Sequence, residues 1–461
     1  MTPYDDRAPG TARPLAVVVL AAGKGTRMRS TRPKVLHAIA GRSMLGHVMA
    51  TAAALAPERL AVVVGAGAEA VAAEARAHRA DVSICLQAEQ RGTGHAVLQA
   101  APALEGFEGD LLVLYADTPL LTVETLARLR AATTPAGPPA VSVLGFETGA
   151  PGRYGRLVIG PAGLERIVEA RDATEAELAI TTCNSGVMAG DAATMLRLLT
   201  RVTDDNAQGE FYLTDLPGLA VAEGLPAAAV LCEQAETLGV NDRAELARAE
   251  AAWQARARHA AMVAGATLTD PATVHLAHDT VLEPDVTVGP SVVFAPGVHV
   301  EGGARIEAFC HLADTRIGAG AVIGPFARLR GGCAIGADTR IGNFVEMKKV
   351  EFGPGAKAAH LTYVGDATVG AGANLGAGTV TCNYDGVNKH RTTIGARAFI
   401  GTNSSLIAPV TVADGAYVAT GTVVTRDVPG DALAIARTPQ DNREGAAARL
   451  RKVLLARKAK G

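Results

Sequence analysis

The sequence predicts two domains, an α/β domain followed by a solenoid of hexapeptide repeats. From residue 14 to about 240, apolar strand-like runs alternate with alanine-rich helical stretches, which is typical of an α/β sheet. Between residues 282 and 424 an aliphatic residue recurs every six positions, a period that fits neither a helix nor a simple strand. Residues 242–263 contain no glycine or proline and predict one long helix that joins the two halves.

In the first half, the alternation implies a mostly parallel sheet that is covered by helices on both faces. Apolar runs predict the strands, and alanine-rich stretches between them predict the helices. The strands are expected at 15–20, 60–64 and 111–115, and the helices at 44–55, 68–78 and 123–131.

In the second half, three hexads are expected to close one triangular coil, with the aliphatic residue pointing inward and stacking between coils. The residue after it is often small, as in Ile317-Gly318 and Ile335-Gly336, because a larger Cβ would crowd the backbone there. The predicted interior positions are Leu282, Val288, Phe294, Val300, Ile306, Leu312, Ile317, Ile323, Leu329, Ile335, Ile341, Met347, Ile394, Ile400, Leu406, Val412, Val418 and Val424. A longer insertion at 382–393 interrupts the repeat.

Composition narrows the class of protein. The 461 residues are 48% hydrophobic with a net charge of −2, so the chain is not disordered and has no overall charge that favours nucleic acid or an anionic membrane. Six scattered cysteines without a CxxC pair favour free thiols in a reducing cytoplasm. No long apolar segment suggests secretion or membrane spanning, so we expect a cytoplasmic location. Residues 1–13 are expected to form a flexible arm and 441–461 a basic tail that is solvated rather than bound to nucleic acid.

A glycine-rich turn follows the first predicted strand. The segment Leu20-Ala-Ala-Gly-Lys-Gly-Thr-Arg-Met28 is followed closely by Pro33-Lys34. Such a turn exposes backbone N–H groups that suit phosphate, and Lys24, Arg27 and Lys34 add positive charge for a triphosphate. The turn matches neither the P-loop nor the dinucleotide-binding pattern. It therefore predicts a phosphate site of another kind.

Two further segments extend this site. Residues 86–95 (LQAEQRGTGH) carry amide side chains, which offer the donor and acceptor that a uracil edge needs. The apolar run 111–117 ends in Asp117, at the edge of the sheet where ligands of α/β proteins bind. There a carboxylate can hold Mg²⁺ against phosphate oxygens.

The string LxxGxGTRM-x4-PK, with the two segments above, resembles the nucleotidyltransferases that join a nucleoside triphosphate to a sugar 1-phosphate. The resemblance implies a Rossmann-like nucleotide-diphospho-sugar transferase fold over residues 14–241, with Mg²⁺ held by Asp117 and Asn241. It further implies in-line attack of the sugar phosphate on the α-phosphorus of UTP, aided by Lys34 and Arg27. The implied contacts to UTP and the sugar nucleotide are Leu20, Ala21, Gly23, Lys34, Gln87, Gly92, Thr93, Tyr115, Gly155, Glu169, Asn184 and Asn241.

The second half resembles hexapeptide acyltransferases, which use acetyl- or succinyl-CoA. Their chemistry needs a base, because an ammonium must lose a proton before it attacks a thioester, and histidine suits this role near neutral pH. The segments 325–330, 342–349, 360–363 and 376–389 resemble the bifunctional N-acetylglucosamine-1-phosphate uridyltransferase and glucosamine-1-phosphate acetyltransferase family. This resemblance spans about residues 14–440. It implies a left-handed parallel β-helix over 264–440 with His360 as the base.

The same resemblance assigns further residues to the second site. The implied contacts to the sugar-phosphate substrate are Arg330, Lys348, Tyr363, Asn374 and Lys389. The implied contacts to acetyl-CoA are Ala377, Asn383, Tyr384, Thr402, Thr420 and Arg437. The chain departs from the family pattern at Ala116, Gly331, Thr402 and Thr420. Because members of this family form trimers, we expect a homotrimer with acetyl-transfer sites between subunits.

The function that follows is the synthesis of UDP-N-acetylglucosamine in two steps, for peptidoglycan and lipopolysaccharide precursors. The solenoid is expected to acetylate glucosamine 1-phosphate from acetyl-CoA, and the α/β domain to couple the product to UTP with Mg²⁺. One alternative is a nucleotidyltransferase whose solenoid only oligomerises, and another is a regulatory scaffold that senses sugar nucleotides. The presence of Lys34, Asp117 and His360 favours the bifunctional enzyme over both.

Overall fold

The computed structural model of the chain describes residues 13–65 and 67–459. The chain divides into two compact units, the first ending at Ala257 and the second beginning at Arg258. The predicted flexible arm covers residues 1–13. Residues 1–12 lie outside the described residues, and Arg13 is described. The guanidinium of Arg13 forms ion pairs with Asp110 at 3.1 Å and Asp191 at 2.6 Å. Among the described helices, none is long and apolar enough to cross a membrane.

The first unit is built on strands β1 to β11 and helices α1 to α8, of which α8 continues past Ala257 into the second unit. The strands span Leu15–Ala21, Ala38–Ile39, Arg42–Ser43, Arg59–Gly65, Ser83–Gln87, Asp110–Tyr115, Val141–Glu147, Arg156–Gly160, Gly163–Val168, Thr182–Asp191 and Ala227–Cys232. The helices span Met44–Ala54, Glu69–His78, Thr93–Leu98, Val123–Arg130, Glu175–Leu178, Ala192–Leu199, Leu216–Ala222 and Arg243–Val263. Short 3-10 turns of this unit occur at Thr26–Met28, Lys34–Leu36, Ala101–Leu104, Leu213–Asp215 and Gln234–Thr237, and another, Pro271–Thr273, lies in the second unit. The predicted strands and helices of this half all exist, with ends that differ by one residue.

The central sheet has the order β11-β7-β10-β6-β1-β4-β5, and the β8–β9 hairpin joins it at β10. Strands β5, β4, β1 and β6 are parallel, whereas β10 runs antiparallel to both β6 and β7. Strands β7 and β11 are also parallel to each other, so among these seven strands β10 alone runs against the rest. The sheet is therefore mostly parallel, as predicted, with one antiparallel strand. The chain reaches β10 from the β8–β9 hairpin and not through a crossover helix, which a parallel connection would need.

Both faces of this sheet are covered, as predicted. Alternate residues of β1 enter two different hydrophobic clusters, because successive side chains of a strand point to opposite faces. Ala16, Val18 and Leu20 belong to one cluster, and the other four residues of β1 belong to the second. Near-complete burial of all seven residues fixes β1 at the centre of the unit, where its carboxyl end can support a site.

The second unit is the left-handed parallel β-helix that the resemblance implies, with three faces that we name A, B and C. Face A contains Thr267–Leu268, Thr287–Val288, Arg305–Ile306, Val322–Ile323, Arg340–Asn343, Lys357–His360, Asn374–Leu375, Phe399–Ile400, Tyr417–Val418 and Leu433–Ala434. Face B contains Val281–Leu282, Val298–Val300, Thr315–Ile317, Cys333–Ile335, Thr392–Ile394 and Val410–Val412. Face C contains Val293–Phe294, His311–Leu312, Arg328–Arg330, Val380–Cys382, Ser405–Ile407 and Val423–Val424. Two longer strands turn from face C into face B, Glu346–Phe352 and Tyr363–Val369.

The hexapeptide period correctly identifies the interior. Apart from Leu282, which is half-buried in the first coil, every predicted interior residue is buried. The predicted insertion is shorter than expected, because Cys382 and Thr393 lie in strands and the loop covers 383–391. After the coils, helix α9 spans Ala446–Lys458 within the predicted basic tail.

Glycine follows many interior residues because the next coil passes very close. A Cβ built on Gly336 would lie 2.6 Å from Pro354 N and 3.0 Å from Phe352 O, and both atoms belong to the backbone of the next coil. The backbone angles at this position are not left-handed. The requirement for glycine there is therefore steric and comes from the stacking of coils.

We expect Gly336→Ala to lower the free energy of unfolding by about 1–3 kcal/mol, because the added methyl group would force neighbouring coils apart. Denaturant unfolding of the purified protein measures this change. Gly430→Ala is a matched control, since the nearest atom to its new Cβ would be Asp414 O at 3.4 Å, an ordinary contact. Equal losses in the two variants would contradict the explanation by coil spacing.

Candidate active sites

A cavity of about 260 Å³ opens at the carboxyl ends of β1 and β6 in the first unit. The two strands are paired in register, with Leu20 opposite Tyr115, so the segments that follow them emerge side by side. Residues predicted from distant segments converge on the cavity wall. They are Leu20, Ala21, Gly23, Lys34, Gln87, Gly92, Thr93, Tyr115 and Asp117.

The glycine-rich turn uses its glycines for two different purposes. A Cβ on Gly23 would meet no atom within 4 Å, so this glycine leaves open space beside the cavity. Gly25 has φ 61°, and its Cβ would lie 2.5 Å from Lys34 Cβ, so only glycine fits there. Arg27 lies exposed on the 3-10 turn that follows and is not part of the cavity wall.

Asp117 and Asn241, the two residues predicted to bind Mg²⁺, both accept a hydrogen bond from the ammonium group of Lys34. Lys34 Nζ donates to Asp117 Oδ2 at 2.5 Å and to Asn241 Oδ1 at 3.1 Å. Asp117 and Asn241 are held by the backbone as well, because Val240 N donates to Asp117 O at 2.9 Å. A carboxylate and an amide oxygen directed at one point form a donor set that suits a hard cation such as Mg²⁺.

Gly155, Glu169 and Asn184 form a second group of contacts. Asn184 N donates to Gly155 O at 2.8 Å, and a Cβ on Gly155 would lie 3.5 Å from both carboxylate oxygens of Glu169. Tyr115 lines the cavity, and its ring lies beside Gly186, whose N donates to Asn184 Oδ1 at 2.9 Å. Burial raises the pKa of Tyr115, and the nearby carboxylates of Asp117 and Glu169 add to the effect. The predicted sugar contacts are thus adjacent to the predicted phosphate and metal contacts.

Sequence reasoning missed the residues that support Glu169. Burial raises the pKa of Glu169, while the hydroxyl of Thr214, which donates to Glu169 Oε1 at 3.1 Å, opposes the shift. Next to it, burial and the neighbouring carboxylates of Glu169 and Asp172 raise the pKa of Asp215 to about 6. These residues come from the 3-10 turn at 213–215, which carries no recognisable motif. Only the fold brings this turn to Glu169.

Gln87 has a role that differs in part from the predicted one. Its side chain is buried, and Nε2 donates to Gly92 O at 3.1 Å and contacts His95 Nδ1 at 3.1 Å. One end of the amide therefore holds the segment 86–95 in shape. Gln90, the other amide of the predicted segment 86–95, also lines the cavity, as does Glu210, which was not predicted.

In the second unit, His360 ends a face A strand and is exposed. Residues at the same position of the hexad in later coils lie in a row beside it, because consecutive face A strands are paired in register. This row consists of His360, Ala377, Thr402 and Thr420. Since paired strands are about 4.8 Å apart, its three steps span roughly 14 Å. The guanidinium of Arg437 donates to Thr420 O at the far end of the row.

The predicted phosphate-binding residues lie on neighbouring face C strands. Arg330 and Lys348 are register partners in consecutive coils. Arg330 is paired with Glu346, at 2.7 Å between Nη2 and Oε1, and sequence reasoning missed this partner. Lys348 contacts Lys389 from the loop 383–391, and the second ammonium lowers the pKa of Lys348. Two ammonium groups in contact form a place where an anion would be stabilised.

The loop 383–391 is held by a residue that was not predicted, Asp385. Its carboxylate accepts from the backbone N–H groups of Val387 at 2.8 Å and Asn388 at 2.6 Å, and contacts His390 Nε2 at 2.7 Å. These hydrogen bonds lower the pKa of Asp385 well below its usual range. The loop therefore presents Lys389 and Tyr384 from a defined shape.

One predicted substrate contact lies apart from the others. Asn374 is on face A, between Lys357 and Phe399 in the ladder, whereas Arg330, Lys348 and Tyr363 are on face C. Near Tyr363, Asn383 donates to Asp366, and a Cβ on Gly365 would lie 2.4 Å from the hydroxyl of Tyr363. Within one chain, the predicted residues of the second site therefore form two groups on two faces.

Comparisons with known proteins agree with the division of the chain into an α/β unit and a hexapeptide-repeat unit. Residues 17–187 match the family described as MobA-like NTP transferase domain, and residues 314–349 match bacterial transferase hexapeptide, six repeats. "Bifunctional protein GlmU" of Paracoccus denitrificans is 55% identical over 97% of this chain and 99% of its own length.

Two further relatives carry the same name. The protein of Ruegeria sp. is 56% identical over 96% of this chain and 98% of its own length. The protein of Paramagnetospirillum magneticum is 54% identical over 97% of this chain and 98% of its own length. Because the likeness covers both units at more than half identity, the chain belongs to the bifunctional GlmU protein family.

Proposed function

We propose that the chain makes UDP-N-acetylglucosamine through two transferase reactions. The second unit, at residues 264–440, acetylates glucosamine 1-phosphate from acetyl-CoA. The first unit, at residues 14–241, transfers a uridylyl group from UTP to N-acetylglucosamine 1-phosphate and releases pyrophosphate. The observation that carries this proposal is the presence of two separate sites in one chain. One is a cavity with phosphate-binding and carboxylate groups, and the other is a histidine at the start of an exposed row.

The first reaction centre uses charge and position rather than a covalent intermediate. Asp117 and Asn241 fit Mg²⁺, which when bound neutralises charge on the phosphates of UTP. Lys34 lies at the same point and supplies a positive charge toward the departing pyrophosphate. The open space beside Gly23 gives backbone N–H groups of the turn access to the triphosphate. Arg27, exposed nearby, is proposed to approach only when UTP is bound.

The second reaction centre uses His360 as a general base. The amine of glucosamine 1-phosphate, held through its phosphate by Lys348 and Lys389, gives a proton to His360 and attacks the thioester carbonyl of acetyl-CoA. A C–N bond forms, the C–S bond breaks, and the CoA thiolate leaves and takes up a proton. The row from His360 to Thr420 supports this assignment, because its length of roughly 14 Å suits an extended pantetheine arm.

We further propose that the protein is a homotrimer whose acetyl-transfer sites lie between subunits. The placement of Asn374 on face A, apart from the face C group, supports this proposal, because a second chain could bring face A of one subunit to face C of the next. The proposed partners are small-molecule substrates, without nucleic acid or membrane. A cytoplasmic location is supported by six free cysteines.

Asp117→Ala should lower the rate of pyrophosphate release at least about 100-fold. Without this carboxylate, the Mg²⁺ that neutralises the negative charge on the phosphates would no longer be held in place. The assay supplies UTP, N-acetylglucosamine 1-phosphate and Mg²⁺, and the acetyl-transfer rate of the same variant is the control. Pyrophosphate release by the wild-type protein after removal of divalent metal would refute the metal role.

His360→Ala should lower acetyl transfer at least about 100-fold, since no other group would take the proton of the amine. The measurement supplies glucosamine 1-phosphate, acetyl-CoA, UTP and Mg²⁺ and follows free CoA and pyrophosphate together. Pyrophosphate release from supplied N-acetylglucosamine 1-phosphate should stay near the wild-type rate. Equal loss of both activities would contradict two independent sites.

Mixed oligomers test whether the site is shared between chains. Chains with His360→Ala on face A and chains with Lys348→Ala on face C should each be poor in acetyl transfer. After co-expression, some interfaces would combine an intact His360 of one chain with an intact Lys348 of another chain, so activity should partly recover. Subunit exchange verified by mass spectrometry without any recovery would exclude a shared site.

A further inference from the structure

The ring of His360 is held by an amide from the preceding coil. His360 Nδ1 lies 2.7 Å from Asn343 Oδ1, within hydrogen-bond distance. Asn343 occupies the same hexad position as His360, one coil earlier, and the two residues are register partners on face A. The row described above therefore extends backward by one residue. Asn343 contacts the ring from the coil before it, and Ala377 follows in the coil after it.

The backbone fixes this contact as well. Leu361 N donates to Asn343 O at 3.0 Å, and Thr362 Oγ1 donates to His360 O at 2.7 Å. Leu361 adopts the left-handed conformation with φ 49°, so the chain turns immediately after His360. A non-glycine residue in that conformation costs about 1–3 kcal/mol unless its surroundings hold it there. The backbone at His360 is therefore held by one hydrogen bond to the preceding coil, from Leu361, and by one local hydrogen bond, from Thr362.

The chemistry of the pair selects one tautomer. A carbonyl oxygen can only accept a hydrogen bond, so Nδ1 must carry the proton when it faces Asn343 Oδ1. In the neutral ring the lone pair is then on Nε2, the atom left to take a proton from a substrate. If the amide were turned, Nδ2 would donate to Nδ1 and the proton would lie on Nε2, which could then accept nothing. A base role for His360 thus requires the orientation found.

We propose that Asn343 is a positioning residue for the acetyl-transfer reaction, which holds His360 in the tautomer whose Nε2 is free to accept the proton of the amine. The inference rests on the proposed acetyltransferase function of this site. Asn343 acts through His360 and is not required to contact either substrate. Its effect should therefore fall on the rate of the proton-transfer step and not on the binding of acetyl-CoA or of the sugar phosphate.

Two variants of the full-length protein separate this role from a structural one. Asn343→Leu keeps a side chain of similar size but removes the acceptor, and Asn343→Asp keeps an acceptor oxygen in the same place. We expect Asn343→Leu to lower the acetyl-transfer kcat by about 10- to 100-fold with both KM values within about twofold. Asn343→Asp should stay within about fivefold of the wild-type kcat. Uridylyl transfer, measured on the same samples, should be unchanged in both variants.

A spectroscopic readout tests the tautomer directly. In protein labelled with ¹⁵N at histidine, the His360 resonances, assigned by comparison with His360→Ala, should indicate a proton on Nδ1 in the wild type. In Asn343→Leu they should move toward the mixture of tautomers found for free imidazole. A wild-type spectrum with the proton on Nε2 would overturn the proposal, as would a wild-type kcat in Asn343→Leu or equal losses in the Leu and Asp variants.

The failure of the proposed function can be distinguished from the failure of this inference. If the wild-type protein releases no CoA from acetyl-CoA with glucosamine 1-phosphate, the acetyltransferase function is wrong and the role in catalysis falls with it. If CoA is released and His360→Ala abolishes the release, the function holds. The Asn343 variants then decide the positioning role alone.

Discussion

Parallel pairing of strands in register is the constraint on which both sites depend. In the first unit, Leu20 pairs with Tyr115, so the glycine-rich turn and Asp117 leave neighbouring strands at the same edge of the sheet. In the second unit, the pairing of face A strands places Asn343 and His360 in one line. Because hydrogen-bonded strands are about 4.8 Å apart, equal positions along paired strands become neighbours in space. A slip of one residue would turn these side chains to the other face.

The two sites differ in how their lysine ammonium groups are neutralised. In the first, Lys34 is already satisfied by Asp117 and Asn241, so the positive charge is held where phosphate and metal are proposed to bind. In the second, Lys348 and Lys389 face each other, and their mutual repulsion lowers the pKa of Lys348. An anionic substrate would relieve this repulsion. The two arrangements agree with a metal-assisted reaction in one unit and direct phosphate binding in the other.

The sequence predicted most of the fold because the determining signals are local. The hexapeptide period marks interior residues one by one, and the glycine after each follows from the closeness of the next coil. The direction of β10 was missed, since a hydrophobic strand reads the same in either direction. Supporting residues were missed for a similar reason. Thr214, Glu346, Asp385 and Asn343 act through neighbours that are 5 to 45 residues away in sequence, and none carries a motif of its own.

The sequence by itself determined the two-domain architecture, the family and the majority of the residues that line the first cavity. The period of side chains and the spacing of glycine, lysine and aspartate are properties of the chain in one dimension. Only the tertiary structure decided which polar atoms meet: that Lys34 bridges Asp117 and Asn241, and that His360 is held by Asn343. Hydrogen bonds act over about 3 Å and depend on direction, so their partners are fixed only after the strands are in register.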